Sequence, residues 1–268
     1  MHAVPAGRRA LVTGSFQGIG LAIAEALAAE QCHLVLHGIA SPEQQQAACG
    51  RVLAAGALSV SCMDHDLAAA DRIDDLMATV LAAGPLDILV NNAGIQQTAP
   101  LAEMPTEVWD RVIAINLSAA FMTMKAALPG MAARGYGRVV NVASVHGLVA
   151  STHKAPYVAA KFGLVGLSKV AALEYASVGS REQGGVTVNC ICPGWTETAI
   201  LEPQIAARAA SFGGDREAGI RDLVSEKQPS RRMSAPAEIG QLTAWLCHPI
   251  AHNITGTSIP VEGGWTSQ

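Results

Sequence analysis

The chain has 268 residues, of which 50% are hydrophobic and 15% charged, so it can bury one large core. Its net charge of -4 offers no general attraction to nucleic acid or to an anionic membrane. No uninterrupted apolar run approaches the roughly 20 residues of a membrane span, so we expect neither nucleic-acid nor membrane partners.

The N-terminus and the cysteines both favour the cytoplasm. Residues 1–9 carry two arginines, but the apolar stretch after them breaks at Thr13-Gly14-Ser15, too early for a signal peptide. The six cysteines show no C-x-x-C spacing, and a chain of this size without a signal sequence is expected to keep them reduced.

Short apolar runs alternate with Ala- and Leu-rich stretches of helical character. The predicted strands are residues 10–13, 33–37, 58–63, 87–91, 138–142, 186–191 and 257–261. The predicted helices are residues 18–30, 42–55, 70–83, 106–133 and 156–178. Because apolar strands separated by helices are covered on both faces, this order predicts an α/β fold with a doubly wound, Rossmann-like parallel sheet of seven strands.

No linker, internal repeat or low-complexity tract divides the chain, so residues 1–268 are expected to form a single domain. Residues 195–235 interrupt the alternation, although they are helix-prone. Because this insertion follows a strand end, we expect a helical substrate lid at about residues 196–226.

Tyr157 and Lys161 are four residues apart on a predicted helix and share one face of it. A free phenol titrates near pH ~10, and a neighbouring cation lowers that pKa. The hydroxyl of Ser144 can hydrogen-bond a substrate oxygen. The three residues predict proton transfer during oxidation of an alcohol, which requires a nicotinamide to accept the hydride.

A glycine-rich loop, Thr13 to Gly20, joins the first predicted strand to the first predicted helix. Glycines there let the backbone approach a pyrophosphate, which the free N–H groups of the helix start can bind. The G-x-x-x-G-x-G spacing alone also fits a tight turn, but its place in the first β-α unit favours a dinucleotide site.

Two more loops are expected at the same crevice. Asn91-Asn92-Ala93-Gly94 is either an ordinary turn or backbone apposed to the cofactor. Asp66 belongs either to a solvated acidic loop or, with Leu67, to the adenine site.

The end of the second predicted strand, His37-Gly38-Ile39, bears on the choice of cofactor. Dinucleotide folds often place there an acid for the ribose 2′-hydroxyl or an arginine for a 2′-phosphate, and this chain has neither. The glycine loop also lacks Lys and Arg. Because a phosphate without a cation would be poorly held, we expect NAD rather than NADP.

In order and spacing these motifs resemble the short-chain dehydrogenase/reductase family over nearly the whole chain. The resemblance implies that Tyr157 is the general acid and base and that Ser144 polarises the substrate oxygen. It implies that Lys161 lowers the pKa of Tyr157 and binds the nicotinamide ribose, while Asn116 holds a water that links Lys161 to solvent. Thr198 would contact the nicotinamide amide.

The expected cofactor contacts combine these motifs. They are Gly14, Ser15, Phe16, Gln17, Gly18, Ile19, Gly20, His37, Gly38, Asp66, Leu67, Asn92, Ala93, Gly94, Tyr157, Lys161, Pro193, Gly194 and Thr198. The missing acid near His37 departs from many NAD-using members of the family.

A second set of residues lies on loops predicted to open onto the crevice. One Lys, one His and two amides suit a small carboxylate, with Lys154 as its counter-charge. Two indoles would enclose a short aliphatic chain. Singly, Lys154 also fits a solvated loop lysine, His146 a loop cap and Trp265 subunit packing. The expected substrate contacts are Gln96, Ser144, His146, Lys154, Tyr157, Trp195, Gln204 and Trp265.

Within the family, several segments resemble the group of bacterial D-3-hydroxybutyrate dehydrogenases. These segments are 92–96, 144–151, 193–195, 225–229 and 263–266. The resemblance implies that Gln96, His146, Lys154 and Gln204 bind a carboxylate, and that (R)-3-hydroxybutanoate and NAD give acetoacetate and NADH. It also implies a homotetramer, in which Gly163 and Gly166 would permit close helix approach, although they fit packing within one chain equally well.

Other functions fit less well. A sugar or polyol dehydrogenase, or a reductase of acyl thioesters, would keep the fold, but a thioester lacks the free carboxylate that Lys154 suits. A regulatory protein without activity would not need Asn116, Ser144, Tyr157 and Lys161 together. No G-x-S-x-G elbow supports a hydrolase, and no histidine cluster predicts a metal.

Overall fold

The computed structural model describes residues 4–267, and its strands form one parallel sheet in the order β3-β2-β1-β4-β5-β6-β7. The order reverses between β1 and β4, as expected of a doubly wound sheet. This confirms the predicted fold class. The strands are β1 (Arg9–Thr13), β2 (His33–His37), β3 (Ser59–Met63), β4 (Ile88–Asn91), β5 (Tyr136–Val142), β6 (Gly185–Pro193) and β7 (Ser258–Val261).

Helices cover both faces of this sheet, because successive strand residues point to opposite faces and are apolar on each. Val12, Val90 and Ile191 join one buried cluster, whereas Leu11 and Leu89 join another on the opposite face. The helices are α1 (Gly18–Ala29), α2 (Pro42–Ala54), α3 (Ala70–Ala82), α4 (Thr106–Ile113), α5 (Ala119–Ala133), α6 (Ala155–Tyr175), α7 (Glu202–Ala209), α8 (Arg216–Ser225) and α9 (Pro236–Cys247).

The long predicted helix over 106–133 is interrupted by a π-helical turn, Ala114–Ser118, between α4 and α5. Its Asn116 is buried and exchanges hydrogen bonds with the backbone N–H and carbonyl of Ile95, at 2.8 and 2.9 Å. Such turns often occur at functional sites. Helix α9 was not predicted.

Two helical segments, Thr106–Ala133 and Ala155–Tyr175, are long and apolar enough to cross a membrane. This contrasts with the sequence expectation of no such stretch. However, 50% and 44% of their most apolar windows are buried inside the protein. Both lie against the sheet, and the core helices of soluble proteins pass the same test, so the signal for a membrane span is weak.

The amino ends of the strands form a cationic cluster around one buried acid. The Asp87 carboxylate accepts hydrogen bonds from the Arg8 guanidinium at 3.2 Å and from the Arg9 backbone at 3.1 Å. The ring of Tyr136 lies between the guanidinium carbons of Arg8 and Arg138, which are 3.7 and 4.6 Å from its centroid. These contacts hold together the amino-terminal ends of the strands, opposite the crevice.

The structure pairs Cys49 of α2 with Cys62 of β3 as a disulfide. The packing of α2 beside β3 brings these two sulfurs together, a pairing that the expectation of six reduced cysteines did not include. The other four cysteines are buried thiols: Cys32, Cys190, Cys192 and Cys247.

Helices α7 and α8 form a hairpin within the predicted lid. It has its own small apolar core, which includes Ile205 and Val224, and Trp195 packs against that core. Ion pairs add to it: Arg208 contacts Asp222 at 2.8 Å, and Arg216 reaches Glu202 at 2.6 Å. The segment is a structured helical unit rather than an open loop.

Candidate active site

A crevice of about 960 Å³ opens at the carboxyl ends of the strands, where parallel α/β folds bind ligands. Residues from the glycine loop, the β4 loop, the β5 loop, α6 and the lid all line it. Of the predicted site residues, its walls contain Gly14, Gln17, Gly18, Ile19, Gly20, Asn92, Ala93, Gly94, Gln96, Ser144, His146, Lys154, Tyr157, Lys161, Pro193, Gly194, Trp195, Thr198, Gln204 and Trp265.

The glycine loop is compressed against the loop after β4. Gly14 and Gly18 adopt positive φ values of 63° and 55°. A Cβ on Gly14 would lie 2.9 Å from Cα of Ala93, and one on Gly20 would overlap the carbonyl oxygen of Gly14. Only glycine fits here, so the backbone itself forms this wall of the crevice.

Asn92 and Thr13 lock the two loops together. The Asn92 amide donates to the carbonyl oxygens of Thr13 and Gly14, at 3.0 and 2.9 Å. The Thr13 hydroxyl oxygen accepts from the backbone N–H groups of Asn92 and Ala93, both at 3.0 Å. The sequence predicts Thr13 only as the start of the glycine loop, not this locking role.

The first turn of α1 faces the crevice without a side-chain cap. Gln17 occupies the cap position in extended conformation and makes no capping hydrogen bond. The backbone N–H groups of Gly18, Ile19 and Gly20 are therefore available to an anion, and the helix dipole adds to the attraction.

The predicted catalytic residues converge at one end of the crevice. The ammonium of Lys161 is 5.6 Å from the ring centroid of Tyr157 and donates to the Val142 carbonyl at 2.8 Å. A Cβ placed on Gly94 would lie 3.7 Å from this ammonium and 3.4 Å from the amide oxygen of Asn116. Asn116 thus lies behind the Tyr157–Lys161 pair rather than on the crevice wall.

The ionisation of this pair depends on how deeply both groups are buried. Burial raises the pKa of Tyr157, and a hydrogen bond with Ser144 only opposes that shift. Burial also lowers the pKa of Lys161 to about 8. Burial is the largest influence on both groups, and the lowering of the Tyr157 pKa by Lys161 stays a prediction.

His146, one of the residues expected to bind a carboxylate, is 4% exposed. Its Nδ1 faces the Val149 carbonyl at 3.2 Å, and its Nε2 faces the Lys154 ammonium at 3.4 Å. The ring of Trp265 packs edge-on against it, with centroids 5.5 Å apart. Burial, followed by the charge of Lys154, lowers the pKa of His146, and burial lowers the pKa of Lys154.

The tautomer of His146 follows from these neighbours. A carbonyl oxygen can only accept, so Nδ1 carries the proton toward Val149. The unprotonated Nε2 then accepts from the Lys154 ammonium. His146 is thereby oriented by one backbone oxygen and in turn orients Lys154 within the crevice.

Six predicted cofactor residues lie outside the crevice wall. Ser15 is fully buried, and its hydroxyl oxygen accepts from the His37 backbone N–H at 3.0 Å. His37 is also buried, its Nε2 contacts the His65 carbonyl at 3.0 Å, and burial lowers its pKa to about 4. These side chains join the loop to β2. The six residues are Ser15, Phe16, His37, Gly38, Asp66 and Leu67.

Phe16 covers the end of β2, since its ring lies 3.0 Å from where a Cβ on Gly38 would be. The carboxylate of Asp66 accepts from the Ala68 backbone at 2.9 Å and so caps its own loop. Leu67 lines a small enclosed cavity with Asn116. Further wall residues that were not predicted include Ile95, Thr98, Thr196, Ala199 and Leu201.

Comparisons with known proteins agree with this geometry. The sequence profile described as short chain dehydrogenase matches residues 8–209. The chain is 45% identical to D-beta-hydroxybutyrate dehydrogenase from Cupriavidus necator over 98% of its length and 99% of the relative. It is 42% identical to the protein of that name from Rhizobium meliloti, over 97% and 99%. L-sorbose reductase from Gluconobacter frateurii, solved with NADPH and L-sorbose, superposes with a TM-score of 0.90 at 29% identity, and each chain is covered completely.

Proposed function

Because this chain belongs to the short-chain dehydrogenase/reductase family of oxidoreductases, we propose that it oxidises (R)-3-hydroxybutanoate to acetoacetate with NAD as hydride acceptor. The Lys154–His146 pair carries this proposal. It places an oriented ammonium in the same crevice as Tyr157, Ser144 and Lys161. The two relatives above 40% identity carry the corresponding activity in their names.

The glycine loop fits the pyrophosphate of a nicotinamide cofactor. Three features support this: the uncapped N–H groups of α1, the positive φ of Gly14 and Gly18, and the absence of room for any Cβ at Gly20. When bound, the cofactor supplies the hydride acceptor. The proposed contacts also include the wall residues Asn92, Ala93, Gly94, Pro193, Gly194 and Thr198.

The residues at the end of β2 favour NAD over NADP. Ser15 and His37 have buried side chains, and Phe16 lies over Gly38. No Lys or Arg occurs in residues 13–20 or 37–45. A 2′-phosphate in this place would carry two negative charges without a cation from either segment, whereas a ribose hydroxyl needs none.

The proton chemistry follows from the residues near α6. Ser144 and Tyr157 hydrogen-bond the substrate hydroxyl. Tyr157 acts as the phenolate, after its own proton has left toward solvent, and takes the substrate proton as the alcohol is oxidised. Lys161 and the buried Asn116 lie on the protein side of Tyr157, where they provide a path for that proton toward solvent. In the reverse direction Tyr157 returns a proton to the ketone oxygen.

The substrate carboxylate binds in the same pocket beside Tyr157, whose ring centroid is 6.2 Å from that of His146. Lys154 supplies the positive charge, with His146, Gln96 and Gln204 as further hydrogen-bonding partners. The indoles of Trp195 and Trp265 enclose the short aliphatic part. We propose that residues 196–226 close over this pocket as a lid.

We also propose a homotetramer in the cytoplasm, formed by one domain per chain. Large apolar side chains stand exposed on α5 and α6, among them Phe121 (49%), Phe162 (44%) and Leu173 (80%). A soluble protein rarely leaves such a surface uncovered. Light scattering of the purified protein measures the number of subunits.

A substrate panel followed by NADH absorbance tests the activity. We expect turnover of (R)-3-hydroxybutanoate with NAD, little with its S enantiomer, and a large loss when the carboxylate is replaced by a methyl ester. The likeness to L-sorbose reductase makes sugars and polyols the second candidate class. Preference for a polyol or for the ester would overturn the proposed substrate. Faster reaction with NADP than with NAD would overturn the proposed cofactor.

A further inference from the structure

Gln228 lies at the end of the proposed lid, and its side-chain amide is almost completely buried, with 1% of the residue exposed. Its Oε1 accepts from the backbone N–H of Trp195 at 2.6 Å, and its Nε2 donates to the Arg232 carbonyl at 2.7 Å. The Gln228 amide therefore joins Trp195, just before the lid, to the turn at Arg232, just after it.

Two glycines make room for this amide. A Cβ on Gly194 would lie 2.5 Å from Oε1 of Gln228 and 2.9 Å from Cα of Glu262. A Cβ on Gly263 would lie 3.2 Å from Nε2 of Gln228. The ends of β6 and β7 are thus both closed around the Gln228 side chain, which argues that this group is built into the hinge.

The two ends of the lid are also joined by backbone hydrogen bonds. The Ser234 N–H donates to the Trp195 carbonyl at 3.0 Å, and the Glu197 N–H donates to the Ser234 carbonyl at 2.9 Å. With the Gln228 amide, both backbone polar groups of Trp195 are bound by the segment that follows the lid. The backbone of Trp195 is thereby fixed to the segment that follows the lid.

Trp195 connects this hinge to the substrate. Its side chain lines the crevice and packs on the apolar core of α7 and α8. Removing the acceptor for its backbone N–H would leave a buried donor unpaired, and the residue would have to shift to find another partner. Such a shift changes the wall that encloses the substrate without touching the glycine loop.

We propose that Gln228 is a positioning residue that fixes Trp195 and the lid hinge for substrate binding; this rests on the proposed function. Gln228→Met keeps the length of the side chain and removes both hydrogen bonds. The expected result is a KM for (R)-3-hydroxybutanoate raised by about ten-fold or more, since losing a buried hydrogen bond costs about 1–3 kcal/mol. The Kd for NAD should change less than this KM, because the glycine loop proposed to hold the pyrophosphate does not contact Gln228, although Gly194 does.

Hydrogen exchange gives a readout that does not depend on turnover. In the wild-type protein the Trp195 amide should be protected, and Gln228→Met should accelerate its exchange while the amides of β1 and β4 keep theirs. Gln241→Met, at an exposed position of α9, is the matched control and should change neither KM nor exchange.

Three results would overturn the proposal: a wild-type KM in Gln228→Met, unaltered exchange at Trp195, or an unprotected Trp195 amide in the wild-type protein. The last measurement needs no variant and decides the question even if Gln228→Met fails to fold. If the wild-type protein does not oxidise (R)-3-hydroxybutanoate, the proposed function fails, whereas the exchange measurements still test the role of Gln228.

Discussion

At the scale of single residues, Tyr157 is the group on which the proposed chemistry depends most. Tyr157→Phe removes the hydroxyl and keeps the ring. We expect kcat to fall by about 10²–10⁴-fold, the usual contribution of a positioned acid or base, with NAD affinity little changed. Stopped-flow or steady-state NADH absorbance measures the first quantity and calorimetric titration the second.

Tyr175→Phe on the same helix provides a control, since Tyr175 is partly buried against an apolar core cluster and does not line the crevice. It should retain near-normal turnover. Comparable rates for Tyr157→Phe and Tyr175→Phe would remove Tyr157 from its proposed role.

His146 should make carboxylate binding depend on pH. Its Nδ1 proton is engaged by the Val149 carbonyl, so Nε2 can donate to a carboxylate only if the ring takes up a proton. Burial and Lys154 lower the pKa of the free ring, with Lys227 adding a smaller effect in the same direction, whereas a bound carboxylate would raise it. The nearby Tyr157 ring, 6.2 Å away by centroid, is neutral while its own pKa is raised.

The sign of this effect is set by proton uptake. Affinity should be greatest below the pKa of free His146, which lies under its ordinary value of 6.5, and should weaken as pH rises toward the pKa of the complex. Acetate, an unreactive carboxylate, avoids confusion with the chemical step. Its inhibition constant should increase with pH in the wild type and vary much less in His146→Gln; an equal slope in both proteins would contradict the idea.

At the scale of elements, the glycine loop shows how closely two backbones are pressed together. Gly20→Ala places a Cβ against the carbonyl oxygen of Gly14 and 2.5 Å from the Asn92 amide nitrogen. Because these are backbone and locked side-chain atoms, the loop must shift. We expect about 1–3 kcal/mol of lost stability and a strong loss of NAD affinity, measured by urea unfolding and titration.

Gly50→Ala in α2 is the matched substitution, since nothing lies within 4 Å of a Cβ there. In an exposed helix it should stabilise the protein by about 0.5–1 kcal/mol and leave NAD affinity unchanged. A Gly20→Ala protein that binds NAD like the Gly50→Ala protein would show that the loop tolerates a side chain.

An element could be predicted from the sequence when the interactions that form it join residues close together in the chain. Pro42 after Ser41 marks the start of α2 correctly, because the Ser41 hydroxyl and the Gln44 side chain cap that helix within one turn. The π turn at 114–118 was not predicted, since the interruption surrounds Asn116, whose partner Ile95 lies in another loop. The role of Gln228 likewise depends on Trp195, which is 33 residues away.

At the scale of the whole molecule, the amino-terminal end of the sheet, opposite the crevice, contains a fully buried arginine. Arg138 donates through Nη1 to the Gly137 and Gly185 carbonyls, both at 2.9 Å, and through Nη2 to the Gly184 carbonyl at 3.1 Å. It therefore links β5 to the start of β6 and also packs on Tyr136.

Arg138→Ala should lower the free energy of unfolding by about 3–5 kcal/mol, because it leaves several buried carbonyl oxygens unpaired. Arg51→Ala, which removes an exposed ion pair with Glu25, should cost less than about 1 kcal/mol. Urea unfolding at fixed pH measures both, and similar losses in the two variants would contradict the assignment. The folded Arg138→Ala protein should keep its KM.

The cationic cluster around Asp87 therefore has a consequence for redesign. It anchors the strands from one side, while the surfaces that meet a ligand come from loops on the other side. A relative with different selectivity could supply the 94–98 or 146–154 loops. Exchanging them should leave the stability of the open parallel sheet intact. New reactivity can thus be sought in this scaffold by changing loop sequences alone, provided that Asp87 and its arginines are kept.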